Sequence, residues 1–152
     1  THSFPTRRSS DLPTYGTMFI DGIINMSEDI ASMISPDLYD EFCAPHTQKI
    51  ISHFGSGHMH SHSCAIYLVK HICDLKNVAN LWLATDPNHP RPFDMLDQLI
   101  EDANGTCLAI DCNSFEEIES NIDILKKGNF SVCLPVRTIE EAISYTEKFR
   151  SL

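Results

Sequence analysis

Residues 106–127, TCLAIDCNSFEEIESNIDILKK, contain the pattern that decides the fold. The run 106–111 is short and apolar, which is typical of a β-strand. Ser114 and Glu117 then have the spacing of a capping box, in which a hydroxyl and a carboxylate satisfy backbone N–H groups at a helix start. An amphipathic stretch follows over 115–127, and Gly128 is a helix stop signal. The segment therefore predicts one βα unit.

The same unit recurs along the chain. Strands are predicted at 58–62, 80–85, 106–111 and 130–136. Helices are predicted at 65–74, 92–103, 115–127 and 139–149, the last opened by a second capping box from Thr138 to Glu141. The strand starts, 58, 80, 106 and 130, are 22 to 26 residues apart. Such regular alternation of strands and helices implies a parallel sheet with right-handed crossovers.

Two architectures fit this alternation. Four βα units amount to half of an eightfold TIM barrel, and an open doubly wound sheet shows the same pattern. No GxGxxG sequence follows any of the predicted strands, so dinucleotide binding has no support. The sequence thus predicts an α/β chain of about four βα units, either an incomplete barrel or an open sheet.

The first twelve residues, THSFPTRRSSDL, lack any hydrophobic period. They resemble translated sequencing-adapter sequence, and we interpret residues 1–12 as a non-native tail, the alternative being a real flexible terminus. Residues 13–152 are then the domain proper.

The composition argues against nucleic acid and membranes as partners. The net charge of −10 repels phosphate backbones, so a nucleic-acid partner is not expected. No apolar run approaches the roughly 20 residues of a membrane span, so no membrane association is expected either. The six cysteines show no paired CxxC spacing and no secretory leader precedes them, which favours reduced thiols in the cytoplasm.

The segment 57–64, GHMHSHSC, is the most unusual stretch of the chain. Its three histidines and Cys64 occupy every second position, so in an extended strand they would project from one face. Imidazole and thiolate are the preferred ligands of zinc, and a further ligand would have to come from another strand, with Asp86, Asp111 and Cys133 as candidates. The alternative is that the histidines only form hydrogen bonds and the cysteine only packs.

A proline-stiffened loop, 86–92, follows the second predicted strand and carries an acid, an imidazole and a guanidinium. Loops in this position often bind substrates. Arg91 is a candidate clamp for a substrate carboxylate, with His89 beside it, and Asp86 could accept a proton or orient a ligand. The alternative is that the prolines and Asp86 only start the next helix. Arg137 is a further candidate for anion binding.

A family resemblance rests on residues 34–42, ISPDLYDEF, followed by Pro45, Lys49-Ile50-Ile51 and a strand ending in His62-Ser63-Cys64. Ser35 and Pro36 are suited to cap and open a helix, which Pro45 would kink or split. This order resembles the uroporphyrinogen decarboxylase superfamily, in which such a helix leads into a strand bearing H-x-C-G. Alanine replaces the glycine here.

The resemblance implies a C-terminal portion of a (β/α)8 TIM barrel whose parent enzyme acts on a small molecule. In the superfamily's methyltransferase branch, H-x-C and a later cysteine bind zinc, which implies the ligands His62, Cys64 and Cys133 and a corrinoid protein as partner. In its porphyrinogen decarboxylase branch no metal is needed. Asp86 and His60 are the candidate catalytic residues.

Two other functions compete with these. His60-Ser61-His62 is similar to the HxH metal pair of amidohydrolase barrels, which would make the protein a metal-dependent hydrolase. The same histidines could also serve a metal-binding or sensor domain without turnover. No nucleophile elbow, P-loop or HExxH sequence is present.

Overall fold

The computed structural model describes residues 23–152, so the predicted tail at 1–12 lies outside the described residues. Five strands form one sheet: β1 Ile23–Ser27, β2 Ser56–His62, β3 Val78–Ala84, β4 Cys107–Asp111 and β5 Phe130–Cys133. All neighbouring strands are parallel, and their order in the sheet is β1-β2-β3-β4-β5. The predicted α/β class with a parallel sheet is confirmed. β1 was not predicted, and it adds a fifth strand to the four that were.

Helices fill every connection between consecutive strands, and a last helix follows β5. They are α1 Pro36–Leu38, α2 Ala44–Phe54, α3 Val69–Cys73, α4 Leu96–Ala103, α5 Phe115–Ser120, α6 Ile122–Leu125 and α7 Ile139–Phe149. Short 3-10 segments at Asp29–Met33, Ser63–Leu68 and Pro92–Met95 follow β1, β2 and the loop after β3. The predicted helix at 115–127 is two short helices, α5 and α6, that meet at Asn121.

Local sequence signals account for several of these boundaries. The hydroxyls of Ser35, Ser114 and Thr138 each accept a backbone N–H three residues on, as predicted for N-caps. In a capping box the carboxylate accepts the backbone N–H of the N-cap residue itself. Here it accepts the N–H of the residue before the N-cap: Glu117 that of Asn113, and Glu141 that of Arg137.

A π-helical turn, Tyr39–Cys43, joins α1 to α2 immediately before Pro45. Proline has no N–H to donate to the preceding turn, so the regular α-helical ladder cannot continue through this point. The sequence predicted a kink or split at Pro45, and the chain shows one unbroken helical run over 36–54 that changes from π-helical to α-helical just before Pro45.

The sheet has two unlike faces because side chains alternate along each strand and the strands are in register. The apolar face packs against the helices through fully buried side chains such as Met59, Leu81, Leu83, Leu108 and Ile110. The polar face carries Asn25, Ser27, His58, His60, His62, Asn80, Trp82, Cys107, Asp111, Ser131 and Cys133. The core thus lies on one side of the sheet and the polar chemistry on the other.

Among residues 23–152, no helix combines the length and the apolar character needed to cross a bilayer.

Candidate metal centre at the carboxyl edge of the sheet

Four side chains meet where β1, β2 and β3 end. His60 and His62 lie on the polar face of β2, Asp29 opens the 3-10 segment after β1, and Asp86 follows β3. The carboxyl ends of parallel strands lie at the same edge of a sheet, where α/β proteins bind their ligands. The predicted extended conformation of the histidine run is confirmed, because β2 continues through His62.

Three ligand atoms converge within this group. His60 Nε2 lies 3.1 Å from His62 Nε2. Asp29 Oδ1 lies 3.4 Å from His60 Nε2 and 3.3 Å from His62 Nε2. His60 is buried, whereas His62 is partly exposed and Asp29 is exposed. The three residues therefore form a group that could hold a metal ion.

Asp86 fixes His62 from the other side. Its Oδ1 lies 2.9 Å from His62 Nδ1. Its Oδ2 accepts the Cys64 backbone N–H at 2.9 Å and the Ser63 hydroxyl at 3.3 Å. Burial acts to raise the pKa of Asp86, but hydrogen bonds from the Cys64 backbone, His62 and the Cys64 thiol outweigh it and lower the pKa to about 2. Asp86 is thus an anion at neutral pH, and the His62 Nδ1 proton points at it.

Glu28 holds the Asp29 turn against β2. Its backbone N–H donates to the His60 carbonyl at 2.8 Å. Its Oε1 accepts the hydroxyls of Thr47 at 2.7 Å and Tyr39 at 3.2 Å, two residues that are buried beneath it. Burial and the Glu28 carboxylate together raise the pKa of Tyr39. This anchored glutamate places Asp29 beside the histidines.

Burial favours the neutral imidazoles of His60 and His58 on the polar face. It lowers the pKa of His60, with His62 and His58 acting in the same direction and Asp29 opposing them. Burial also lowers the pKa of His58. The His60 ring lies 4.4 Å from the Trp82 ring, at an interplanar angle of 36°. Neutral rings keep a nitrogen lone pair available, and metal ligation requires that.

A cleft of about 650 Å³ opens at the same edge, over the ends of β3, β4 and β5. Its lining includes Asp111, Cys112, Cys133 and Arg91. Burial raises the pKa of Asp111. The pKa of Cys133 is also raised, mainly by burial and to a smaller extent by the nearby Asp111 carboxylate. The cleft is large enough for a small-molecule substrate.

The two predicted cysteine ligands lie apart from the histidine pair. β2 ends at His62, so Cys64 belongs to the following 3-10 segment and not to the strand face on which it was expected. Cys133 lies on β5, where it pairs in register with Asp111 of β4. Strands β3 and β4 therefore separate Cys133 from β2. Within the described residues, neither cysteine belongs to a convergent group of three ligand atoms with the histidines.

The predicted substrate-binding residues have different surroundings. The Arg91 guanidinium contacts two protein carboxylates, Asp94 at 2.7 Å and Glu117 at 2.9 Å. His89 is exposed in the turn after β3, and Arg137 is exposed at the start of α7. The alternative prediction, that Asp86 caps the next helix, is not what the chain shows. Arg91 is the residue before the 3-10 segment that begins at Pro92, and the Asp86 carboxylate instead contacts His62 at the end of β2.

Asp29 and Glu28 were missed by the sequence reasoning. They follow a five-residue strand whose sequence, IINMS, carries little periodicity. The acidic pair directly after a short apolar run was the one available signal, because catalytic and binding groups concentrate at strand ends.

Comparison of the chain with protein-family models, curated proteins and solved structures finds no match.

Proposed function

We propose that the chain is the C-terminal portion of a (β/α)8 barrel enzyme, similar to the uroporphyrinogen decarboxylase superfamily, that acts on a small molecule by decarboxylation or methyl transfer. The observation that carries this proposal is the sequential parallel sheet whose polar face ends in His62, His60 and Asp86 at the carboxyl edge.

Strand order favours a barrel over an open sheet. In doubly wound sheets the order reverses at a switch point, and helices then cover both faces. The five described strands follow one another without reversal. Parallel sheets are normally buried on both faces. The polar groups His62 and Asp111 lie at the carboxyl ends of β2 and β4, the position at which a barrel builds its site.

Exposed apolar side chains on the helices also support additional units. In the helical connection between β1 and β2, Phe42 is 59% exposed and Phe54 51% exposed. On the β5 side, Ile139 is 76% exposed and Ile143 54% exposed, both on α7. Side chains of this size are normally buried against a neighbouring element, and flanking βα units of a barrel would cover them.

Zinc and a corrinoid protein partner belong to the methyl-transfer form of the proposal. The family resemblance implies a zinc that binds a substrate thiol as thiolate, and among the described residues the group that could hold this ion is the histidine group and not the implied cysteines. All six cysteines are free, in keeping with the reduced thiols and cytoplasmic location that we propose.

A second candidate is a metal-dependent hydrolase. The convergence of Asp29 Oδ1 on the nitrogens of His60 and His62 favours it, because two imidazoles and a carboxylate are a frequent ligand set of hydrolytic zinc. The coordination position left open would then hold a water molecule.

The test uses protein from the complete reading frame, purified without a histidine tag. Metal content is measured first, followed by CO₂ release from porphyrinogens, methyl transfer from methylcobalamin to a thiol, and hydrolysis of amide and ester substrates. Metal-independent CO₂ release supports decarboxylation, and zinc-dependent thiol methylation supports methyl transfer. Hydrolysis without either activity would replace the proposal with the second candidate, and inactivity in all three assays would refute both.

A further inference from the structure

We infer that Asp29, His60 and His62 are the protein ligands of a divalent-cation site composed only of nitrogen and oxygen donors, in which Asp86 is a positioning residue. The inference deepens the proposed function, and the role of the ion in turnover rests on that function. The ligand set itself rests on the geometry of this chain.

The spacing of the three atoms fits one tetrahedral ion. Zinc lies about 2.0–2.1 Å from its nitrogen and oxygen ligands, so two ligands of a tetrahedral ion are about 3.3–3.4 Å apart. The three separations here are 3.1, 3.3 and 3.4 Å. A triangle with these sides has a centre about 1.9 Å from every corner, so a single ion can contact all three atoms at normal distances.

The hydrogen-bonding direction of His62 also points to a cation. The Asp86 carboxylate can only accept, so the His62 Nδ1 proton is directed at it. In the tautomer that carries its proton on Nδ1, His62 presents the Nε2 lone pair to Asp29 Oδ1, which is itself an acceptor. Two acceptors 3.3 Å apart repel unless a cation or a proton relieves them, and that proton could be a second one on His62 or the Nε2 proton of His60, which lies 3.1 Å from His62 Nε2. An imidazole whose other nitrogen binds a carboxylate is the usual arrangement around protein-bound zinc.

The donor set separates this site from a thiolate site. Two imidazoles and one carboxylate suit divalent zinc, cobalt or iron, and they leave at least one position open for an oxygen ligand such as water or a substrate carboxylate. Cys64 hydrogen-bonds Asp86 through both its backbone N–H and its thiol, but among the described residues its sulfur does not belong to the convergent group of ligand atoms. Cys133 lies three strands away from the histidines.

Cobalt(II) titration of the tag-free 152-residue chain tests the inference, because cobalt reports its ligands spectroscopically. We expect one equivalent to bind with visible d–d absorption and without the near-ultraviolet charge transfer that thiolate ligands produce. Asp29→Asn should weaken cobalt binding by at least about 100-fold, since it removes a direct ligand, and Asp86→Asn by about 10–100-fold with a changed d–d spectrum.

Three control variants accompany these. Asp40→Asn removes an equally exposed carboxylate that lies 2.9 Å from a different histidine, His71, and it should leave cobalt affinity unchanged. Cys64→Ser and Cys133→Ser should also leave it unchanged. Circular dichroism and thermal melting of each variant show whether it is folded. Should Asp86→Asn fail to fold, the exposed Asp29→Asn substitution decides the result.

Three results would overturn the inference: no stoichiometric cobalt binding, wild-type affinity in Asp29→Asn, or loss of binding in either cysteine variant. Protons shared among Asp29, His60 and His62 in place of a cation would give the first result. Binding is measured without substrate, so a chain that binds cobalt through these ligands while its parent fails all three activity assays refutes the proposed reactions and leaves the site standing.

Discussion

Replacing Arg91 tests whether this guanidinium is a structural clamp. Its Nε and Nη2 atoms donate to the two oxygens of Asp94 at 3.1 and 2.7 Å. Its Nη1 and Nη2 atoms donate to the two oxygens of Glu117 at 3.4 and 2.9 Å. The residue thus joins the loop after β3 to helix α5 after β4, and both carboxylates favour its charged form.

The expected size of the effect follows from exposure. The Asp94 side chain is 52% exposed, so its pair with Arg91 is worth only about 0.2–0.5 kcal/mol after solvent screening. Arg91 and Glu117 are 26% and 27% exposed, and a bidentate charge-assisted pair at that depth contributes about 1–2 kcal/mol. Arg91→Ala should therefore lower the free energy of unfolding by about 1–2.5 kcal/mol. Arg91→Lys should lose about half of this, because an ammonium cannot bind both carboxylates in a planar fork.

Urea denaturation at neutral pH, followed by circular dichroism, measures the change. Arg137→Ala is the matched control, since Arg137 is an exposed arginine that follows β5 as Arg91 follows β3, and it should alter stability by less than about 0.5 kcal/mol. If Arg91→Ala is as neutral as this control, the two carboxylates do not hold the guanidinium. That result would favour the sequence-based prediction that Arg91 binds substrate.

Two further predictions concern the carboxylate partner and the core. The Arg91 guanidinium and then the Asn113 N–H lower the pKa of Glu117, so its stabilisation is present above the ordinary value of 4.5 and is lost as the pH falls below it. Glu117→Gln should consequently be less stable at pH 7 yet show a shallower loss of stability between about pH 5 and 3, and an unchanged acid slope would contradict this sign. Met59 is fully buried on the apolar face of β2, so Met59→Ala should cost about 2–5 kcal/mol in urea unfolding, and a loss below about 1 kcal/mol would show that the core closes around the cavity.

Much of the fold could be predicted because its signals are local. The capping residues Ser35, Ser114 and Thr138 bond the backbone three positions away, so neighbouring residues alone determine them. The apolar runs of β3 and β4 likewise mark strands whose central residues are buried. β1 escaped prediction because it is short and stabilised mainly by pairing with β2, and that contact lies across 33 residues of chain in the register Ile23 with Ser56.

The histidine site, like the fold, could be predicted from the sequence only in part. The alternation of His60 and His62 determines by itself that both rings project from one face of any extended strand, since the strand period is two. Which carboxylates meet those rings was decided only by tertiary structure. Parallel pairing of Ser27 with His60 and of His62 with Ala84 brings Asp29 and Asp86 to the end of β2 from distant parts of the chain. Strand order and register arise from long-range packing, so they cannot be predicted from any local sequence pattern.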